Sequence, residues 1–496
     1  MADNETMTAE KIDLGKLLSS MRFESEIGEP VPMVQNNLEI VHADVSDKDR
    51  FISGMAALLL NIGADAKRFD KGSVQQLIGR INGIVNKQVN EIIHHDKFKA
   101  LEANWRSLDE LIKNTNFKAN IMIDIIDVSK EELAEDFENN AVDITGSALF
   151  KKLYVAEYDQ YGGRPYGSVV GLYETNHTPA DEFWLRTMGR ISAASHAPYI
   201  GSVSPQFFGC ETMEELAAIK DLDGLISHPK YGSWNKLRES EEAAYVGLTL
   251  PRYVARLPFD PETNPTGDFP FKEEVRGDED ADYLWAPASM LFAQNLVKSF
   301  AESGWCQYIR GPKGGGLVQG LPVHTFNIRG EDEIKIPVEI SIPDYRELEF
   351  ANAGFIPLVY RKNTADACFF STQSIKKAKK FKDPKDSENA QLVTNLSYTY
   401  SVTRIAHYVK SIMRDNIGSS ADAEYIGNTL NNWIFQYVTT VVDPDDLTLR
   451  YYPFKAASVD VSEQEGMVGW YNCSISILPH IQFEGMDVEL KLDSRL

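Results

Sequence analysis

A chain of 496 residues with 43% hydrophobic and 10% aromatic content can bury substantial cores, and its length suits about two to four domains. Fifty basic against seventy-three acidic residues leave a net charge of −23, which excludes generic affinity for nucleic acid or an anionic membrane. The four cysteines (Cys210, Cys306, Cys368, Cys473) show no CxxC and no histidine at ligand spacing, so neither a zinc site nor a disulfide framework is expected. Cys306 and Cys473 stand in apolar surroundings as packing residues.

The first residues lack a basic region followed by an apolar one, and the longest apolar run, around residues 55–60, is too short to span a bilayer. A cytoplasmic start is expected. Residues 1 to about 48 are polar, with a short amphipathic piece at residues 12–21 and a possible strand at residues 38–42, and residues 1–60 fit an arm or linker better than a core element. A helix is predicted after Ser73 as N-cap, with Val74, Leu77, Ile78, Ile81, Ile84, Val85, Val89 and Ile92 on helical spacing. A second runs through Phe98, Leu101, Trp105, Leu108 and Leu111; residues 121–126 then predict a strand buried on both faces.

Helix before strand suggests a mixed α/β architecture. Further helices are predicted from Phe183 to Ala194, over the charged stretch of residues 237–242, and from Pro287, suited to a first helical position, to Ser303. Residues 334–342 look strand-like. Helices at residues 402–413 and about 421–438 precede the terminal strands, and no internal repeat is evident.

The carboxy-terminal stretch is the most strongly patterned. Tyr471, Cys473, Ile475 and Ile477 alternate against Asn472, Ser474 and Ser476, and Met486, Val488, Leu490 and Leu492 alternate against Asp487, Glu489 and Lys491. A shorter candidate carries Val459 and Val461. These strands either close their own domain as a meander or offer an open edge to a strand of another chain.

Candidate chemistry is sparse. Arg310 with Gly311-Pro312-Lys313-Gly314-Gly315-Gly316 resembles a phosphate cradle, but Leu317-Val318 follow where a phosphate loop needs Ser or Thr. A tight turn explains the glycines better. A phosphorylated substrate held by Arg310, this loop and His324 is the enzymatic alternative. Adjacent His94 and His95 point about 100° apart on a helix, cannot share one ion, and are expected at the surface. His196, His324, His407 and His480 sit in aromatic or apolar contexts suited to hydrogen-bonded core histidines. Glu239, Glu241 and Glu242 fit a solvated helix face as well as paired carboxylates. Lys376, Lys377, Lys379, Lys380 and Lys382 form a basic cluster in an acidic protein, read either as a solvated loop or as a contact to an acidic partner. No cofactor is indicated.

Several segments resemble the large subunit of the type VI secretion contractile sheath. They include Leu101-Glu102-Ala103-Asn104-Trp105-Arg106-Ser107-Leu108, Tyr161-Gly162-Gly163-Arg164-Pro165-Tyr166-Gly167, Ser195-His196-Ala197-Pro198-Tyr199 and Gly304-Trp305-Cys306-Gln307-Tyr308-Ile309-Arg310-Gly311. Arg404-Ile405-Ala406-His407-Tyr408-Val409-Lys410, Trp433-Ile434-Phe435-Gln436-Tyr437-Val438 and Leu478-Pro479-His480-Ile481-Gln482-Phe483-Glu484-Gly485 extend it. The resemblance implies a phage tail sheath-like fold and a non-enzymatic protein that pairs with a small sheath subunit in a helical tube. It also implies an inner tube of haemolysin-coregulated protein, a baseplate, and an AAA+ unfoldase acting mainly through the small subunit. Terminal strands would be exchanged between protomers, with residues 61–375 as a main domain and 376–496 as the domain carrying those strands.

Overall fold

The structure is a computed structural model describing residues 71–480 apart from 268, 278, 329, 380, 420–421, 442–443, 465 and 467–469. The arm, the possible strand at residues 38–42, Lys380 and the strand of Met486, Val488, Leu490 and Leu492 therefore lie outside the described residues. The chain divides into two compact units, Met1–Phe98 with Pro258–Val275, and Lys99–Leu257 with Arg276–Leu496.

In the first unit, helix α1 spans Lys71–Ile93, so Ser73 lies inside the helix instead of capping it. The Asn90 side chain donates to the Lys272 carbonyl (3.2 Å) and accepts from the Glu274 amide (2.9 Å). His94, expected at the surface, is half-buried with Nε2 3.1 Å from the Glu273 carboxylate. Ile78, Ile81, Ile84 and Ile92 remain exposed along α1.

The second unit is built on a six-stranded sheet. Its strands are β1 (Val169–Thr175), β2 (Tyr199–Val203), β3 (Val246–Leu250), β6 (Leu317–Val318), β9 (Ile356–Tyr360) and β10 (Ala367–Phe369), in the order β1-β2-β3-β9-β10-β6, while β4 (Tyr253–Val254) and β5 (Trp285–Ala286) pair with each other outside it. The first four run parallel and β10 is antiparallel to both its neighbours. Around it, helices α2 (Asp96–Lys113), α3 (Lys130–Asn139), α4 (Pro179–Ser195), α5 (Ser289–Ser303), α6 (Leu396–Asp415) and α7 (Ala423–Ile434) follow in chain order. Burial on both faces explains why β2 and β3 are continuously apolar or small. Helix α4 starts where sequence chemistry favours it: the Thr178 side chain accepts from the Asp181 amide and Pro179 takes the first helical position. Its Trp184, Leu185, Met188 and Ile191 form one core with Tyr199, Val203 and Leu248. On the other face Leu291, Phe292 and Leu296 of α5 pack with Ile200, Ile356, Leu358 and Phe369.

Several expectations are corrected. Helix α5 begins at Ser289, which leaves Pro287 ahead of the first turn. The strand-like run at residues 334–342 lies in a strand only to Lys335, in the hairpin of β7 (His324–Ile328) with β8 (Glu331–Lys335), and beyond it Val338 makes an isolated bridge to Tyr253. Residues 121–126 run without helix, turn or bend but join no strand among the described residues, and Met122, Ile125 and Ile126 are exposed. Cys306 is sheltered, with burial pushing its thiol up to about 11, whereas Cys473 is exposed.

Candidate assembly surfaces

The terminal patterning resolves into one antiparallel hairpin, β11 (Phe454–Glu463) with β12 (Tyr471–Pro479), in which Val459 opposes Ile475 and Val461 opposes Cys473. Its apolar face lies on α6 and α7: Val459, Val461, Tyr471, Ile475 and Ile477 pack with Ile405, Ile426, Leu430 and Ile434. Trp305 anchors the base, edge-on to Phe454 at 5.2 Å and to Tyr437 at 5.1 Å. The other face, with Ser458, Asp460, Ser462, Asn472, Ser474 and Ser476, is exposed.

Among the described residues no second strand pairs with β12. The Gln464 amide donates to the Trp470 carbonyl (2.8 Å) across the mouth of the hairpin. Alternation from that pair directs the backbone groups of Asn472, Ser474 and Ser476 to β11, and those of Cys473, Ile475 and Ile477 to the open edge.

Helix α2 is amphipathic in the reverse sense. Its buried positions are the small or short Ala103, Ser107 and Leu111, while Leu101, Trp105 and Ile112 face outward. Two carboxylates on its inner side hold it: Arg256 reaches Glu102 (2.7 Å) and the Tyr253 hydroxyl donates to Glu110 (2.9 Å).

The basic cluster is divided. Lys376 is buried and ion-paired with Glu241, which explains why it is not available to a partner. The hydrogen bond from Lys376, reinforced by Lys379 at 3.6 Å, holds the Glu241 carboxyl below its usual range. Lys377, Lys379 and Lys382 are exposed.

The residues of the enzymatic alternative have separate tasks. Arg310 is buried over the Tyr398 ring, and the glycine loop is a turn stitched to β10 through the Gly311 amide to the Phe369 carbonyl (2.7 Å) and the Phe369 amide to the Gly316 carbonyl (3.0 Å). A Cβ on Gly316 would stand 2.4 Å from the Phe369 carbonyl oxygen, and Gly315 has φ +89°, so these glycines serve backbone packing. His324 belongs to a different cluster, its Nδ1 2.7 Å from the Tyr283 hydroxyl. His407 Nε2 donates to the Ser195 carbonyl (3.1 Å), and the Tyr158 ring lies 5.5 Å from both His407 and His196. Among the described residues the Nδ1 atoms of His196 and His407 have no partner. Burial pushes His407 down to about 4, and burial with the nearby Lys410 charge lowers His196. No group of residues able to hold a metal ion occurs among the described residues.

Open backbone edges and outward apolar stripes among the described residues, with buried cations such as Arg238, Arg256 and Lys376 held inside the chain, are what an assembly subunit requires. Residues 75–376 match the family model described as EvpB/VC_A0108, tail sheath N-terminal domain, and residues 385–496 match EvpB/VC_A0108, tail sheath gpW/gp25-like domain. Over 431 residues, 86% of this chain and 86% of the relative, it is 41% identical to type VI secretion system sheath protein TssC1 of Pseudomonas aeruginosa. More distant likenesses are to a chain of the anti-feeding prophage baseplate (12% identity, TM-score 0.36, covering 76% of this chain and 84% of that one). A chain of that prophage's contracted helical sheath follows at 10% identity and TM-score 0.30, covering 62% and 74%. The chain belongs to the EvpB/VC_A0108 tail sheath family, as a large subunit of the type VI secretion sheath. Its role is structural, as a subunit of a contractile sheath, and it is not an enzyme.

Proposed function

We propose that this chain co-assembles in the cytoplasm with a small sheath subunit and with copies of itself, forming a helical tube around an inner tube of haemolysin-coregulated protein and upon a baseplate. Contraction expels the inner tube, and an AAA+ unfoldase recycles the contracted form mainly through the small subunit. The observation that supports this reading is the β11–β12 hairpin, seated on α6 and α7 by one face while the outer edge of β12 meets no other strand among the described residues. Residues 376–496 act as the strand-exchanging domain. In it Tyr471, Cys473, Ile475 and Ile477 form one inter-subunit strand, and Met486, Val488, Leu490 and Leu492 the other. Each added strand supplies about five ladder bonds at roughly 0.5–1.5 kcal/mol net apiece, several kcal/mol per link, and the link persists while broader surfaces rearrange. Lys377, Lys379, Lys380 and Lys382 supply the charged contact to an acidic partner surface.

The test is negative-stain electron microscopy of the chain expressed alone and with the small subunit, with and without residues 485–492. Hollow tubes on co-expression, lost with the deletion, are expected. Tubes from the chain alone would replace this reading with a one-component tail-like assembly, and discrete particles in every sample would overturn assembly altogether.

A further inference from the structure

The connection from α2 to α3 carries Ile121, Met122, Ile123, Ile125, Ile126 and Val128, six apolar residues in eight positions. Such a run belongs in a buried strand. Here it runs without turn or bend, and among the described residues it is tied down through side chains. Ile123 packs inward on the cluster of Leu111, Met290 and Ala293; the Tyr166 hydroxyl donates to Asp124 (2.7 Å); Arg164 meets Met122 Sδ (3.1 Å); and the Tyr173 hydroxyl donates to the Val128 carbonyl. Among the described residues no backbone N–H or C=O of residues 121–127 bonds to another backbone group. Met122 is 59% and Ile125 57% exposed, as open as surface residues. A segment without turn or bend, its backbone groups unpaired among the described residues and its apolar side chains outward, is a template for a strand from elsewhere.

Charge decides whose strand. Asp124, Asp127, Glu131, Glu132, Glu135 and Glu138 are all exposed, and Lys130, the one base among them, is held by Asp181 at 2.6 Å. The strands this chain could lend do not complement that field: residues 471–479 carry no base, residues 485–492 carry two acids and one lysine, and residues 38–42 carry Glu39. We propose that residues 121–127 are a second β-docking edge, separate from the terminal hairpin, and that its occupant is a strand of the small sheath subunit alternating apolar residues with lysine or arginine. This rests on the two-component reading above. Ordering such a strand requires backbone pairing for affinity and the carboxylates for register and on-rate.

Hydrogen exchange by mass spectrometry on the full chain alone and on the co-expressed complex tests it. Peptides covering residues 121–127 are expected to exchange at least tenfold more slowly in the complex. Ile125→Pro, which removes an amide with no backbone partner among the described residues, is expected to cut co-purification of the small subunit at least tenfold with the melting temperature unchanged. Should that variant misfold, Asp127→Lys with Glu131→Lys keeps the test alive, since it should weaken capture most at low ionic strength. If wild type captures the small subunit but these amides exchange as fast as in the free chain, or both variants bind as wild type does, the docking edge is refuted while the sheath reading stands. Protection already present in the chain alone would assign the edge to this chain's own strand and overturn the proposal. Failure of wild type to capture the small subunit would overturn the two-component reading itself.

Discussion

Cys473→Pro isolates the outer edge of β12 from the hairpin that carries it. The alternation from the Gln464–Trp470 bond places the Cys473 amide on the open edge, so proline there removes no bond to β11. Ser474→Pro, one residue on, removes a bond inside the hairpin and is the control. The edge offers the amides and carbonyls of Cys473, Ile475 and Ile477, about six ladder bonds worth roughly 3–9 kcal/mol net for a paired strand. Losing one amide and crowding its neighbour costs about 2–4 kcal/mol per link, or roughly 30- to 1,000-fold in each pairing equilibrium. Over a lattice the effect multiplies. Co-expression with the small subunit, followed by sedimentation and electron microscopy, should show pelletable tubes reduced to background for Cys473→Pro, with far-ultraviolet circular dichroism unchanged. Ser474→Pro should instead lower the melting temperature as well. Wild-type yields of tube from Cys473→Pro would refute the reasoning and reduce β11–β12 to a domain meander.

Three further outcomes follow from the interior. His407 is buried with its folded-state value pushed down to about 4 from 6.5, so below about pH 6.5 the unfolded chain binds more protons than the folded one. Stability is full above that pH and falls by up to about 3 kcal/mol as pH drops toward 4, and His407→Gln should flatten this acid dependence of the melting temperature. Arg252→Met strips the bidentate partner (2.6 and 3.0 Å) from the buried Glu339 carboxylate; with Arg252 33% exposed, the cost should be near 3 kcal/mol, read as a lower urea midpoint. Lys377→Glu with Lys382→Glu should weaken co-assembly in a salt-dependent way and leave the chain folded, whereas Lys376→Glu, placing two carboxylates together at Glu241, should lower stability in high and low salt alike.

What the sequence made legible follows the range of the forces involved. Local chemistry was visible: the helical stretch from Phe183 to Ala194 marks most of α4, which the structure starts one turn earlier at Pro179, and the two-residue alternation of Tyr471, Ile475 and Ile477 marks β12 with its inward face. The central strands β2 and β3 were not, because short strands buried on both faces carry no alternation and Gly201 and Gly247 interrupt their apolar runs. Burial of Lys376 depends on Glu241, 135 residues away, and no local pattern encodes such a pair. Residues 121–126 misled for another reason: their composition does specify a strand, but the described residues of this chain hold no ladder for it.

That mismatch separates an assembly subunit from an enzyme in physical terms. An active site needs polar groups held short of full satisfaction and turned toward a cavity, where they wait for substrate. Here the buried charges are committed within the chain: Arg238 donates to the carbonyls of Ile375 (2.9 Å) and Asn352 (2.7 Å), Arg256 pairs with Glu102, Arg252 with Glu339, and Lys376 with Glu241. Apart from buried polar atoms such as the Nδ1 of His196 and His407, the groups left open among the described residues are backbone along residues 121–127 and the outer edge of β12, and apolar side chains such as Trp105 and Ile125. Such groups have little chemistry to offer a small molecule. They gain free energy only against another polypeptide that brings its own backbone and apolar face, which is why the proposed joins to other chains are placed where this surface looks unfinished.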